Sequence, residues 1–484
     1  MFENPSDWHL LRMLHKYMDE NNIHHEKLHG LNLCTRTLVE FPQTTGVYVM
    51  SNGEKSSAFG VRRCHANWGC PVCEPIKMNK KAADISVAIE ALKAKGYVAC
   101  MITFTVPHHS NLYSCEQVSK ILKNTWSVFT KRGVRNKYND QSKLKNGTIC
   151  RYVSTRHDAL LDFRRHFECK FYVRVYEYTW GKNGWHPHIH ALFWVKENKF
   201  NEVLDWEDTL LFEWRKIAER ETIKVLTENN PSNADSIIEN VHVKFDTYDM
   251  SLRHENNLGV YISKKDGKPI KQEASMYICG WGADKEVTSN YKRKASNDGH
   301  FSPYEMLLKA EESPPKSEAR AKWLDRYLEY TIVAKSILTC RVHFGFKKEF
   351  YALIKAWKQT QGYIEYLKKK ASNLDSSQKK AWYLAYWFSK EQWSELSNLE
   401  LIPYIMTIAI LPNAMELINF TLEQYDIKRT NFYQYGPLTN QYHRIIKLFN
   451  SHLGELDKDE SGVYGTTGET GVLLLNRVPD GATA

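Results

Sequence analysis

The chain has 484 residues, 42% of them hydrophobic, and its 66 Lys and Arg against 56 Asp and Glu give a formal net charge of +10. Such a length admits two or three domains and such a composition is that of an ordinary soluble globular protein; the longest apolar run, Leu401–Leu411, is too short to span a bilayer and contains Pro403, which excludes a membrane-spanning helix. The positive balance suits a polyanionic partner, because Lys and Arg that neutralise phosphates release condensed counterions.

Met1–Glu20 mixes charges with scattered apolar residues and does not read as a signal peptide. Ten cysteines without a secretory context point to a reducing compartment, so a cytoplasmic protein is expected. Residues 8–30 read as a helix with Leu10, Leu11, Met13, Leu14 and Met18 on one face. The stretch 31–75 is punctuated by Gly and Asn, carries clustered Cys, and includes the β-like piece Gly46–Met50. A helix over 78–94 follows from the spacing of Ala82, Ile85, Ile89 and Leu92. Strands are expected at 101–106, 171–177, 188–195 and 241–245, with helices at 115–130 and 201–227 and a polar, basic loop at 131–150. Strands interleaved with helices give an α+β sheet domain. Beyond about residue 315 only helices are expected, at 316–338, 346–371, 376–398 and 413–426. The Gly/Thr-rich end is expected to be disordered. Four segments result: 1–95, a helix and cysteine-rich segment; 96–315, the sheet domain; 316–457, a helical region; and the tail 458–484.

Cys64, Cys70 and Cys73 combine CxxC spacing with a third thiol six residues upstream. Tetrahedral zinc needs four N or S donors, and a CxxC turn supplies two thiolates to one ion. Cys34 is the expected fourth ligand, with His65 in reserve, and four protein ligands make the site structural. Arg62 and Arg63 lie beside the cluster as candidates for phosphate contact. The other six cysteines have no ligand spacing and read as core.

The densest signal is the run Tyr176–Val195. Alternate residues of a strand share a face, so His188 and His190 point the same way. Gly181-Lys-Asn-Gly184 is hairpin-turn chemistry; if Trp180 pairs with Trp185 across it, Glu177 falls directly opposite His188. Cross-strand Cβ atoms are about 5 Å apart, so one carboxylate and two imidazoles converge on an open site for a divalent cation. His186 shares that face, but Pro187 is expected to disturb the pleat, which leaves His186 as a spectator or a DNA contact.

His188-Ile-His190 resembles the histidine–hydrophobic–histidine motif of the HUH endonucleases, and Gly184-Trp-His-Pro-His-Ile-His190 resembles the plasmid rolling-circle replication initiators among them. Met101–His108 resembles the first motif of that family, Cys64–Cys73 with an upstream Cys resembles the cysteine segment of one branch, and Trp281–Thr288 followed by Ser302–Leu307 resembles its downstream segment. The likeness runs through about residues 30–350 with the motifs in order. It implies an antiparallel central sheet carrying Mg²⁺ or Mn²⁺ on Glu177, His188 and His190. It implies also a tyrosine that attacks a DNA phosphate to leave a 5′-phosphotyrosine and a free 3′-OH primer. The partners implied are plasmid origin DNA, as single strand or hairpin, together with a host helicase and replication proteins.

The family's tyrosine motif is Tyr-x-x-Lys, with both side chains on one helical face. Tyr261-Ile-Ser-Lys264 fits it; Tyr277, which leads into Trp281-Gly, is the rival but has Gly280 where Lys is expected. Lys264 has a charge-neutralising role that glycine cannot fill, which favours Tyr261. Glu255 and Glu273 are possible activators of water, and neither is assigned. Competing readings are a transposase or relaxase sharing the metal motif, a two-His-one-carboxylate oxygenase or zinc hydrolase, and a non-catalytic zinc-containing DNA-binding protein. The last leaves the Glu/His cluster without a role.

Overall fold

The computed structural model describes residues 5–38, 46–51, 56–106, 113–130, 142–143, 149–150, 159–247, 258–262, 299–338, 340–372 and 383–428. Lys264, Tyr277, Glu255, Glu273, the segment Trp281–Thr288 and the tail 458–484 lie outside the described residues. The chain begins with helices α1 (Pro5–Glu20) and α2 (His29–Leu33), strands β1 (Gly46–Ser51) and β2 (Ser56–Phe59), and helix α3 (Cys73–Lys93). Next come β3 (Tyr97–Thr105), α4 (Cys115–Thr130), the short β4 (Ser142–Lys143) and β5 (Ile149–Cys150), α5 (Ala159–His166), β6 (Tyr172–Gly181) and β7 (Gly184–Lys196). Helices α6 (Glu207–Asn229) and α7 (Ala234–Thr247) precede β8 (Leu258–Ile262). Then follow α8 (Pro303–Glu312), α9 (Glu318–Val333), β9 (Val342–Gly345), α10 (Lys347–Trp357) and α11 (Gln361–Ser372). The last elements are β10 (Tyr383–Ser389), α12 (Lys390–Asn398), α13 (Ile402–Ile408) and α14 (Ala414–Gln424). Helices mixed with antiparallel sheets make this an α+β protein. Among the described residues no helix is long and apolar enough to cross a membrane.

Two compact units are interleaved along the chain: Met1–Ala83 with Met306–Ile332 and Lys355–Ala484, and Asp84–Glu305 with Val333–Ile354. The four segments read from the sequence follow chain order, whereas each of these units is assembled from separated stretches.

In the first unit, a three-stranded sheet of order β10-β1-β2 pairs Tyr48 with Trp387 and, on the other side, with Phe59. The all-helical expectation for 376–398 is corrected here. Residues 383–389 form a strand, and the helix starts only at Lys390, capped reciprocally by Ser389 and Gln392. Tyr-Leu-Ala-Tyr-Trp-Phe is a continuous β-prone run in which Ala385–Phe388 are buried; packing against β1 outweighs local helix propensity. The amphipathic α1 behaves as its pattern demands: Leu10, Leu11, Leu14 and Met18 are buried, and Trp8 meets Trp393 edge to face at 6.3 Å.

In the second unit, a five-stranded antiparallel sheet has the order β8-β3-β7-β6-β9. β9 corrects the expectation that strands end near residue 315; its four residues were too short to show a period. One face of the sheet is aromatic. Phe104 lies 5.5 Å from Trp126 and 5.4 Å from Phe129 on α4, and 4.8 Å from Trp214 on α6. Full burial of each such ring contributes on the order of 1.5–3 kcal/mol, which clamps both helices to that face. The opposite face carries Thr103, Thr105, Glu177, His188 and His190, as strand alternation requires. At its far end Phe350 of α10 covers Trp194 and Phe344, at 6.0 and 4.8 Å.

Two further expectations fail in this unit. Residues 241–245, read as a strand, belong to α7. Ala234, Ile237, Ile238, Val241 and Phe245 recur at helical spacing over the longer window, and that period prevails over the brief Val-His-Val alternation. Tyr261, read as helical, lies in β8, antiparallel to β3 with Tyr261 opposite Met101. The helical placement expected of Tyr261 is therefore not found, and its motif partner Lys264 lies outside the described residues. The β-branched and aromatic content of Leu-Gly-Val-Tyr-Ile accounts for the strand.

Candidate metal centre

The hairpin of β6 and β7 closes with Gly181 opposite Gly184, whose φ of 81° is open to glycine at little steric cost. From this turn the register runs without a break: Trp180 opposite Trp185, Thr179 opposite His186, Glu177 opposite His188, and Val175 opposite His190. β3 continues the rows, with Thr105 opposite His188 and Thr103 opposite His190.

Glu177 Oε2 therefore lies 2.7 Å from His188 Nε2 and 2.6 Å from His190 Nε2. All three side chains are nearly buried, at 13%, 14% and 11% exposure. Burial pushes the Glu177 carboxyl up, but the charge and hydrogen bond of His188 and the hydrogen bond of His190 outweigh it and hold the group well below the ordinary carboxylate range. The ligand atoms lie within 4.8 Å of one another, so one carboxylate oxygen and two imidazole nitrogens could hold a divalent cation.

The pleat is not disturbed at Pro187, contrary to expectation. Pro187 pairs with Tyr178, one residue past the end of the β3 ladder, where β6 is the strand paired with β7 among the described residues and a missing N–H is tolerated. His186 therefore stays on the metal face, its ring 5.4 Å from that of His188. Tyr261 is brought to the same sheet by β8: Gly259 and His190 both face Thr103, so the register puts position 261 on the face of positions 188 and 190, one pair further along. Thr103, which the sequence reading did not single out, sits directly across from His190. It lay inside the first motif, but its position became visible only with the β3–β7 register.

In the first unit Cys34, Cys64, Cys70 and Cys73 form a second group whose sulfurs lie within 4.8 Å of one another. Cys34 Sγ is 3.7 Å from Cys70 Sγ and 3.5 Å from Cys73 Sγ. Four thiolates at the Zn–S distance of about 2.3 Å would have edges of about 3.8 Å, so the cluster fits a tetrahedral ion after small adjustment. Hydrogen bonds from Cys34, Cys64 and Cys70, with the Arg63 guanidinium behind them, hold the Cys73 thiol far below its ordinary value, whereas burial pushes Cys70 up. The backbone N–H of Cys73 donates to Cys70 Sγ, and buried Glu74 accepts from Gly69 N at 2.8 Å. His65, the reserve ligand, is exposed and outside the group. Of the two basic residues beside the cluster, Arg62 is exposed, whereas Arg63 lies over the Trp8 ring at 5.0 Å and donates to the Ala58 carbonyl.

Ser302–Leu307, the part of the downstream segment within the described residues, proves to be a helix start. Ser302 Oγ accepts from Glu305 N and Glu305 Oε2 accepts from Ser302 N, a capping box for α8. Cys100, Cys115 and Cys169 are buried as core residues, and Cys340 is half-buried.

The chain is similar to the protein named "Protein rep" from Streptomyces lividans. The two are 28% identical over 278 residues, 54% of this chain and 56% of that protein. It is also 24% identical over 155 residues to a "Neomycin resistance protein" from Streptomyces cyanogenus, covering 32% of this chain and 35% of the relative. The chain thus spans a little over half of one curated relative and about a third of the other. No family model matches it. No solved structure matches it either.

Proposed function

We propose that this chain is an HUH-type replication initiator that nicks one strand at the double-strand origin of a plasmid. The observation that carries the reading is the convergence of Glu177, His188 and His190 on one face of a five-stranded antiparallel sheet. Similarity to a protein named for Rep, a second cluster of four cysteines and the excess of basic residues support it. Glu177, His188 and His190 would hold a Mg²⁺ or Mn²⁺ ion, which would supply Lewis-acid stabilisation of the phosphate's developing charge. The chain's own part is to orient the strand and deliver the nucleophile. The Tyr261 phenol oxygen attacks phosphorus, the P–O3′ bond breaks, and the 3′ oxygen takes up a proton to become the primer hydroxyl. The phenol's proton leaves to solvent, which returns one to the departing 3′ oxygen, and one phosphodiester replaces another, so the linkage energy is retained for resealing. Lys264 neutralises charge on the phosphate, and Tyr277 is the alternative nucleophile. Arg62, Arg63 and His186 are each candidates for contact with the DNA backbone. Zn²⁺ on the four cysteines is structural.

The test is nicking itself. With Mn²⁺, the purified chain should cut a single-stranded oligonucleotide from the origin of its own plasmid, and EDTA should stop it. The double variant His188→Ala, His190→Ala should lose cutting by at least about 10³-fold, the scale on which electrostatic stabilisation acts in such sites. Cutting at the normal rate by that variant would overturn the assignment.

A further inference from the structure

We infer that Thr103 is a positioning residue for the Glu177/His188/His190 centre: its hydroxyl accepts the Nδ1–H of His190 and thereby keeps the His190 Nε2 lone pair turned toward the cation. This rests on reading the three residues as a divalent-metal site.

The two ring nitrogens of His190 have different neighbours. Nε2 faces Glu177 Oε2 at 2.6 Å, while Nδ1 lies 2.9 Å from Thr103 Oγ1. A neutral imidazole has one protonated and one bare nitrogen, and the hydrogen bond made by one decides which is which. A metal ligand must present a bare Nε2, so Nδ1 must carry the proton and the threonine oxygen must accept it. Thr103 is built for this. It is the direct cross-strand partner of His190, and its β-branched side chain is restricted about χ1, so β3 itself holds the hydroxyl in place. The His190 side chain is nearly buried, which keeps water from substituting easily for that acceptor.

The neighbouring pair supplies an internal contrast. Thr105 stands opposite His188 in the next row of the same face, yet His188 Nδ1 is buried with no hydrogen-bond partner among the described residues. The two threonines hold equivalent register positions, but only Thr103 is bonded to its histidine. His190 is therefore held at both ring nitrogens and, among the described residues, His188 at Nε2 alone. Loss of a hydrogen bond of this kind typically costs 10–100-fold in metal affinity.

The experiment is Mn²⁺ binding to the full chain, followed by the electron paramagnetic resonance of free Mn²⁺, with the thermal midpoint measured in parallel. Thr103→Val keeps the shape and removes the acceptor; it should raise the Mn²⁺ dissociation constant about 10-fold or more with an unchanged midpoint. Thr103→Ala should show the same loss and serves if the valine variant folds poorly. Thr103→Ser, which restores the hydroxyl, should return affinity to within about threefold of wild type, and Thr105→Val should leave it within about twofold. Wild-type affinity in both T103V and T103A overturns the inference and leaves the metal site standing. An equal loss in T105V also overturns it, because the effect would then belong to the strand at large. A wild-type chain that binds no Mn²⁺ overturns the metal reading and the inference together.

Discussion

Glu177 is a buried carboxylate held between two histidines, and its energetics have a definite sign. Its folded pKa lies below the ordinary 4.5 because His188 and His190 together outweigh the cost of burial. A carboxyl with a depressed folded pKa contributes stability that is present above its unfolded value and is lost as pH falls toward the folded one. The metal-free protein should accordingly lose stability as pH drops below about 4.5, and Glu177→Gln should flatten that part of the profile. Urea midpoints measured on both proteins across that range check the prediction; an identical slope in the variant would show that Glu177 is not the group responsible. The same variant removes the one anionic ligand, so its Mn²⁺ affinity should fall by at least about 10-fold while its neutral-pH fold persists.

At the scale of elements, the hairpin was readable because it is governed by local chemistry. Gly181-Lys-Asn-Gly184 sets the turn, the turn sets the register, and the register puts Glu177 opposite His188. The four-cysteine loop was readable for a similar reason, since ligand spacing is itself a local pattern. The elements that were misread depend on partners far away in the chain. β10 is a strand because β1 lies beside it, more than three hundred residues earlier, and β8 is a strand because β3 offers it an edge. Thr103 escaped notice because its role lies in a pairing between β3 and β7 that no single stretch of sequence displays.

Two element-level predictions follow from these local devices. If the cysteine cluster holds structural zinc, mild chelation should leave about one ion per chain, and Cys70→Ser should release it and lower the thermal midpoint. Elemental analysis of undenatured protein finding no zinc would contradict this. Ser302 is predicted to act only as the cap of α8, so Ser302→Ala should cost about 1 kcal/mol in the urea midpoint without altering Mn²⁺ affinity. A loss of metal binding in that variant would give Ser302 a role beyond capping.

At the scale of the whole molecule, the two clusters fall in different units. The cysteine group belongs to the unit that contains Met1–Ala83, and the Glu/His group to the one that contains Asp84–Glu305. Interleaving explains why a linear division by composition follows neither unit: β9 returns to the sheet of the second unit from beyond residue 332, after a stretch that belongs to the first. It also bears on the nucleophile. β8 is an edge strand of the five-stranded sheet, and its backbone register brings position 261 to the face that carries the Glu/His group. A phenol with an ordinary pKa of about 10 is a weak nucleophile at neutral pH, so proximity to a site that stabilises phenolate and phosphate charge is what the chemistry demands. The proposed attack by Tyr261 would thus start from a strand rather than from a helix.

The covalent intermediate is the most direct measurement. The full chain, incubated with Mn²⁺ and an origin oligonucleotide labelled on the 3′ side of the nick, should become linked to DNA, and digestion with trypsin should map the linkage to the peptide 254–264. Tyr261→Phe should abolish the adduct while Mn²⁺ and DNA binding remain. An adduct mapped to Tyr277 would transfer the nucleophile's role and leave the metal centre intact. Efficient cutting by the wild-type chain with no adduct on any tyrosine would contradict the account, because the strand would then be broken by water and no linkage energy would be kept.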